Sequence, residues 1–365
     1  MQSSIRFIKR ALKNLLAFFI GLLIAFVILE IFLRIWDPFH FSVSGNQIVL
    51  LSNYKTVLHP RVSKVDENVT YSKNNIGFRG EAFPGQTNDR ITIFTVGGST
   101  TECKLLSDSN TWTALLNEKM KPTCPQIWMN NAGFDGHTTM GHIVLVKDYL
   151  LKLKPSYIIF LTGANDIELN GLNVQERQTM KTIDFSSFRN FYLSLCNHSK
   201  AASLILNIYR FKLSSNKGLI HNDSNLSAPI KKMTKEDRTE RLNLQGKYLD
   251  GYRSRLDTLI NLCVTNHIKP ILLTQPYLGG ETIDPETGKY LGDFKAGAFN
   301  TASQAEVLEK YNDVVREFQA KGIRVIDLAR MLPKNSIYYY DFIHFTNEGA
   351  QKVSDILYAE LRDSL

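Results

Sequence analysis

Three short runs in this chain carry side chains that could together cleave an acyl bond. Thr95-Val96-Gly97-Gly98-Ser99-Thr100-Thr101 places a hydroxyl directly after the apolar run Ile91-Thr92-Ile93-Phe94. Thr162-Gly163-Ala164-Asn165-Asp166 follows a second apolar run, and Asp341-Phe342-Ile343-His344 lies near the C-terminus. A serine hydroxyl is a weak nucleophile at its own pKa, so it needs a base to take its proton as it attacks a carbonyl. His344 can serve, and can return the proton to the departing alcohol. Asp341, three residues earlier, is placed to fix the imidazole tautomer and to stabilise the transient imidazolium. Asp-x-x-His recurs by chance in surface turns, but Phe342, Ile343 and Phe345 indicate that this loop is packed.

Such groups must be brought together by the elements that carry them. From Arg90 onward short β-type runs alternate with helical patterns. Strands are expected at Ile91 to Val96, Gln126 to Asn130, Tyr157 to Leu161, Pro270 to Thr274 and Ile323 to Asp327. Helices are expected over Thr111 to Met120, Gly141 to Leu153, Leu244 to Asn266 and Ser303 to Lys321. Strands alternating with helices imply right-handed crossovers and a parallel sheet covered on both faces. In such a sheet ligands sit where loops converge at the C-terminal strand ends. Ser99 follows the first strand there, Asn131-Ala132-Gly133 the second, and Gly163-Ala164-Asn165-Asp166 the third. Gly97 and Gly98 permit a tight turn and close approach of a substrate.

These residues resemble the SGNH, or GDSL-like, hydrolase superfamily, which is named for a Ser, Gly, Asn and His in four sequence blocks. Here the four fall on Ser99, Gly133, Asn165 and His344. The first block departs from the usual Gly-Asp-Ser and reads Gly97-Gly98-Ser99-Thr100, a variant similar to membrane-anchored members. The resemblance covers roughly residues 90–365. It implies a three-layer α/β/α flavodoxin-like parallel sheet, catalysis by Ser99, Asp341 and His344, and an oxyanion hole made by the Ser99 and Gly133 backbone N–H groups and the Asn165 side chain. This chemistry requires neither metal nor organic cofactor. Asp166 reads as a structural cap or loop hydrogen-bonder.

The formal charge of the 365 residues is +8, which would suit nucleic acid or a membrane surface if it were concentrated. Residues 1–34 carry Arg6, Lys9, Arg10, Lys13 and Arg34 against Glu30, half of the net charge, so the remainder is an ordinary surface and nucleic-acid binding is not expected. Leu15 to Leu33 is apolar except for Gly21 and Glu30, close to the roughly 20 residues needed to cross a bilayer. Ser42-Val43-Ser44 is a small-x-small triplet but lies beyond Trp36, Asp37 and Pro38, too far from the apolar stretch for ordinary signal cleavage. Four basic residues before the span and one after it orient the N-terminus toward the cytoplasm and the rest outside.

The expected organisation is therefore a cytoplasmic segment 1–14, a transmembrane anchor 15–35, an irregular approach segment 36–90, and a hydrolase-like domain 91–365. Residues 170–241 interrupt the domain and are longer than a connector requires, so they read as a lid or cap. The expected partners are an acylated small-molecule, glycan or lipid ester substrate and the membrane itself, and the expected activity is removal of O-acyl groups, acetyl favoured, from envelope or secreted glycans. Two alternatives share the same residues: an O-acyltransferase in which a sugar hydroxyl replaces water, and a non-catalytic envelope assembly protein.

Cys103, Cys124, Cys196 and Cys263 fit an oxidising compartment without demanding disulfides. Cys103 and Cys124 belong at opposite ends of the sheet, too far apart to bridge. Cys103 with Cys196 is geometrically freer, and four buried thiols is the plainer alternative. His137 and His142 are five apart where one helix face calls for four, so a zinc pair is not expected. Arg79 in Gly77-Phe78-Arg79-Gly80 has two readings, contact with an anionic or sugar substrate or support of the sheet edge. Asn68, Asn197, Asn222 and Asn225 head glycosylation sequons, at a frequency that chance explains.

Overall fold

The computed structural model describes residues 2–36, 38–39, 41, 43–45, 47–85, 89–169, 187–216 and 232–364. The chain forms two compact units, one made of Leu50–Met180 with Ser214–Leu365 and the other of Met1–Val49 with Lys181–Leu213.

The larger unit is built on five parallel strands, β1 (Ile91–Gly97), β2 (Ile127–Asn131), β3 (Tyr157–Leu161), β4 (Lys269–Leu273) and β5 (Arg324–Ile326). Their spatial order is β2-β1-β3-β4-β5, the doubly wound arrangement of flavodoxin-like folds. Register sets Gly97 beside Leu161 and Leu161 beside Leu273, so the loops leaving β1, β3 and β4 emerge at one level. The strands are short runs of β-branched and aromatic residues buried on both faces, as a sheet covered by two helical layers requires. On one face Leu116, Met120, Val353 and Leu357 from helices Trp112–Met120 and Asn347–Leu361 pack with Ile93, Ile159 and Ile271. Helices Thr139–Leu145, Gly246–Thr265 and Thr301–Glu317 pack in series with one another to form the other layer.

Side-chain caps start four of these five helices. Thr111 accepts from Ala114 N–H, Thr138 from Met140, Asn300 from Ser303 and Thr346 from Gly349, each satisfying a first-turn donor that the helix cannot. The strands lie within about a residue of those expected, because continuous apolar runs bounded by polar residues leave little freedom. Three elements go beyond the expectation. The segment read as irregular contains an antiparallel hairpin, Tyr54–Leu58 with Val69–Lys73. The chain closes with the helix Asn347–Leu361, and the helix after β2 begins at Thr139 and passes through a π-helical stretch, Val146–Leu150.

In the smaller unit the N-terminal helix Gln2–Ile35 meets two helices of the insertion, Ser187–His198 and Lys200–Asn216. Arg10–Ile35, with a mean hydropathy reaching 2.9, is by length and composition able to cross a membrane. Leu193, Cys196, Ala202 and Leu206 form a small core against which Phe26 and Tyr192 pack. The final part of the insertion, helix Lys235–Asn243, belongs to the larger unit. Residues 170–186 and 217–231 of the lid expected from the sequence lie outside the described residues.

Candidate active site

Ser99 opens a four-residue helix, Ser99–Glu102, that turns directly off β1. The turn depends on two glycines: a Cβ at Gly97 would overlap Thr101 Oγ1 and the Leu161 carbonyl, and one at Gly98 would overlap Asn165 Nδ2. As a first-turn group, the Ser99 N–H has no intrahelical acceptor. Cys103 ends the helix in the left-handed region at φ 50°.

The candidate base, His344, arrives from the far end of the chain. Ser99 Oγ donates to His344 Nε2 at 2.7 Å, and His344 Nδ1 donates to Asp341 Oδ2 at 2.5 Å. The other Asp341 oxygen accepts the backbone N–H groups of Ile343 and His344 at 2.8 and 2.7 Å. Burial pushes the Asp341 carboxyl up, but the adjoining His344 and these hydrogen bonds outweigh it and hold the group below the usual carboxylate range. Tyr340 stacks on the imidazole with ring centroids 5.4 Å apart. The loop is clamped on both sides, by the pairing of Tyr339 with Phe345 and by Thr346 N–H donating to Tyr338 O at 3.1 Å. A Cβ at Gly349 would overlap the Tyr338 carbonyl, so the C-terminal helix starts hard against this loop.

Asn165 lies on the turn Ala164–Asp166, entered through Gly163 at φ 125°. One amide N–H donates to His137 O at 2.9 Å. Asp166 accepts from Thr139 Oγ1 at 2.5 Å and from Arg255 at 3.2 Å, tying this turn to the start of the next helix and to Gly246–Thr265, the structural part expected of it. Gly133 differs from the expectation. Its N–H donates to Asn131 Oδ1 at 2.9 Å, two residues back, and a Cβ there would overlap the Glu102 backbone. Gly133 therefore lets the loop after β2 press against the serine helix, while its N–H is engaged by its own strand.

Two buried residues hold the serine helix from behind. Arg79, 1% exposed, donates to Glu102 O at 2.6 Å, Cys103 O and Leu106 O at 2.8 Å, and Asp108 at 2.8 Å. Its guanidinium thus caps the carbonyl end of the helix and lies over the Tyr71 ring, whereas its backbone pairs with Asn131 at the sheet edge. Of the two readings of Arg79, contact with substrate is the one this burial removes. The Asn131 side chain has a role that the motifs did not suggest; its Nδ2 donates to Thr101 O at 2.5 Å. An Asn two residues before a critical glycine is an Asx-turn signal that would have found it.

All four cysteines are buried and outside any disulfide, as in the plainer alternative. His137 and His142 stand with ring centroids 6.3 Å apart, and among the described residues no group of three or more His, Cys, Asp or Glu gathers as for a metal.

A sequence profile of the GDSL-like lipase/acylhydrolase family matches residues 95–352, which includes Ser99, Gly133, Asn165, Asp341 and His344. No curated protein matches the sequence. Similar solved structures include a GDSL-like lipase from Bacteroides thetaiotaomicron, 11% identical, covering 78% of this chain and 93% of that chain at a TM-score of 0.41. An acetylxylan esterase from Geobacillus stearothermophilus is 14% identical, covering 74% and 93% at a TM-score of 0.41. An α/β hydrolase enzyme from the metagenome of Lake Arreo is 16% identical, covering 73% and 93%, also at 0.41. These overlaps are loose and carry no substrate from one protein to another. The profile match spans most of the chain, and on it the chain belongs to the GDSL-like lipase/acylhydrolase family, as a hydrolase of ester bonds.

Proposed function

We propose that this chain is a membrane-anchored serine esterase whose catalytic unit faces away from the cytoplasm and removes O-acyl groups, acetyl foremost, from envelope or secreted glycans. The observation that carries the mechanism is the unbroken hydrogen-bond relay from Ser99 through His344 to Asp341. In this reading His344 takes the Ser99 proton as Oγ attacks the ester carbonyl, and then delivers it to the alcohol oxygen as the C–O bond breaks. An acyl group remains on Ser99. Water, deprotonated by the same imidazole, attacks that acyl-enzyme and releases the carboxylic acid. Asp341 holds the imidazole and balances its charge while protonated.

The oxyanion is received by the Ser99 N–H and the Asn165 side-chain amide. Gly133 N–H joins them only by sharing its bond to Asn131 Oδ1. Support for the location comes from the apolar helix, the basic residues ahead of it and the single Arg34 behind its apolar stretch. The glycan assignment follows from that location, since acylated polymers are the abundant esters outside the membrane.

The test is to treat full-length protein in detergent with a fluorophosphonate probe and map the adduct, with Ser99→Ala and His344→Ala alongside. An adduct on Ser99 that both substitutions remove is the expected result; a folded protein left unlabelled would sink the mechanism. Release of acetate from acetylated oligosaccharides, compared with short-chain and long-chain aryl esters, then tests the substrate class.

A further inference from the structure

The polar tie at the top of the N-terminal helix has a consequence for membrane contact. Glu30 accepts hydrogen bonds from Ser199 Oγ at 2.8 Å, Lys200 N–H at 3.2 Å and Ala201 N–H at 2.9 Å, and from Arg34 at 2.7 Å. Its carboxylate therefore caps the N-terminus of Lys200–Asn216, where first-turn donors and the helix dipole both favour a negative charge. Phe26, Glu30 and Leu33 form one stripe at i, i+4 and i+7. Phe26 packs on the small core of the insertion helices, and Leu33 is 3% exposed. Two further bonds tie down the chain that follows the helix, Ser44 Oγ to Cys196 O at 2.9 Å and Asn207 Nδ2 to Val43 O at 2.8 Å.

The stripe fixes depth. Arg10–Ile35 is 26 residues long, about 39 Å at 1.5 Å per residue, against a hydrocarbon core of about 30 Å. Even if that core began directly after Arg10 it would reach Glu30, and Phe26 would sit about 6 Å inside it. The insertion helices docked on Phe26 and Glu30 are thus held at the outer boundary of the bilayer. Their outward residues suit that position. Ala202, Ser203, Leu206 and Asn207 of Lys200–Asn216 face inward, but Ile205, Ile208 and Tyr209, at i, i+3 and i+4, are 54%, 56% and 58% exposed, and Leu195 on the preceding helix is 40% exposed. A continuous apolar face on a helix pinned beside a membrane span is an interfacial element, with tyrosine at headgroup level.

Resting on the anchor reading, we infer that Ser187–His198 and Lys200–Asn216 form a second membrane contact, which seats Leu195, Ile205, Ile208 and Tyr209 in the acyl-chain and headgroup boundary of the outer leaflet. This part of the insertion is a bilayer-docking element built onto the anchor. Its occupant is lipid, because the span whose Phe26 and Glu30 fix its depth is itself apolar enough to lie in the bilayer.

The experiment uses full-length protein in vesicles of phosphatidylcholine and phosphatidylglycerol that contain a lipid with a diazirine in its acyl chain. After irradiation, adducts are mapped by mass spectrometry. The expected result is label on the span Arg10–Ile35 and on the peptide from Ile205 to Tyr209, each at least about tenfold above the buried core strand Tyr157–Leu161. Replacing Ile205 and Ile208 with Gln should lower label on the second peptide and leave the first unchanged. Label on the anchor alone overturns the inference and spares the anchor. Label on neither overturns both, and protein–protein adducts at Ile205 to Tyr209 overturn it in favour of a second copy of the chain.

Discussion

The two units place polar side chains in opposite surroundings. In the catalytic unit Arg79, Asn131 and Asp166 are each 1% exposed, and their bonds go to the backbone or side chains of the loops around Ser99. In the N-terminal unit one carboxylate, Glu30, ties helices whose outer faces are apolar and open. Each arrangement spends polar groups on fixing backbone, since an unpaired polar group costs more in a low-dielectric setting than a paired one returns. They differ in what lies beyond the tie: packed protein in one case, an apolar surface awaiting a solvent of its own kind in the other. The contrast teaches that a polar knot reports where the chain must be held still, whereas the surface around it reports the medium.

If that contrast holds, substitutions in the catalytic unit should damage chemistry or global stability, and substitutions at Glu30 should leave chemistry intact. Ser99→Ala should have the largest effect, lowering kcat by roughly 10⁴-fold or more with an unchanged melting temperature, as measured on an aryl ester. Arg79→Met leaves Asp108 without its ionic partner and the Glu102 and Leu106 carbonyls without a donor, while the Cys103 carbonyl keeps only the Leu106 N–H. It should cost about 3–5 kcal/mol in denaturant unfolding. Arg79→Lys, which keeps the charge but not the fork, should remain folded with kcat reduced and KM little changed. Asn165→Ala removes one proposed oxyanion donor and should cost about 10²–10³ in kcat, or about 3–4 kcal/mol.

The next effect is pH-dependent. Burial, with a smaller push from nearby His137, lowers the His142 pKa from 6.5 to about 3. Between those values the unfolded chain binds a proton that the folded chain refuses. The contribution is therefore complete above pH 6.5 and is lost as pH falls, at about 1.4 kcal/mol per pH unit. His142→Gln should flatten the acid limb of an unfolding-stability profile by that slope. The smallest effect is expected for Glu30→Ala, which removes a cap worth about 1 kcal/mol and should loosen hydrogen-exchange protection at Lys200 and Ala201 while esterase activity stays level. A loss of catalysis in that variant would break the comparison.

Much of this was legible in the sequence, and the misses have physical reasons. The sheet could be read because continuous apolar runs such as Tyr157–Leu161 have one stable use in an α/β chain. Ser99, Asp341 and His344, which the fold brings into one hydrogen-bonded chain, could be singled out because the types that suit nucleophile, base and orienting acid are chemically distinct. The hairpin Tyr54–Leu58 with Val69–Lys73 was harder, since its alternation is broken by the exposed Val57 and the buried Lys73 and its loop holds Pro60. Gly133 shows the limit of a motif: its position was evident, but the direction of its N–H is set by the Asn131 side chain two residues back, an Asx-turn pattern outside the motif itself. Arg79 had two readings in the sequence because an arginine beside glycines can face either way, and only tertiary packing decides. The division of the insertion between the units is likewise invisible locally, because Glu30 and Ser199 meet across 169 residues.

Ser99 and His344 are 245 residues apart in sequence and 2.7 Å apart in space. Contacts of such separation close late, after the loop entropy of all intervening chain has been overcome. During synthesis the apolar helix leaves the ribosome first and the imidazole emerges hundreds of residues afterwards. The proposed hydrolytic centre consequently stays silent through biosynthesis, and turnover of an ester certifies that the domain has been completed and closed.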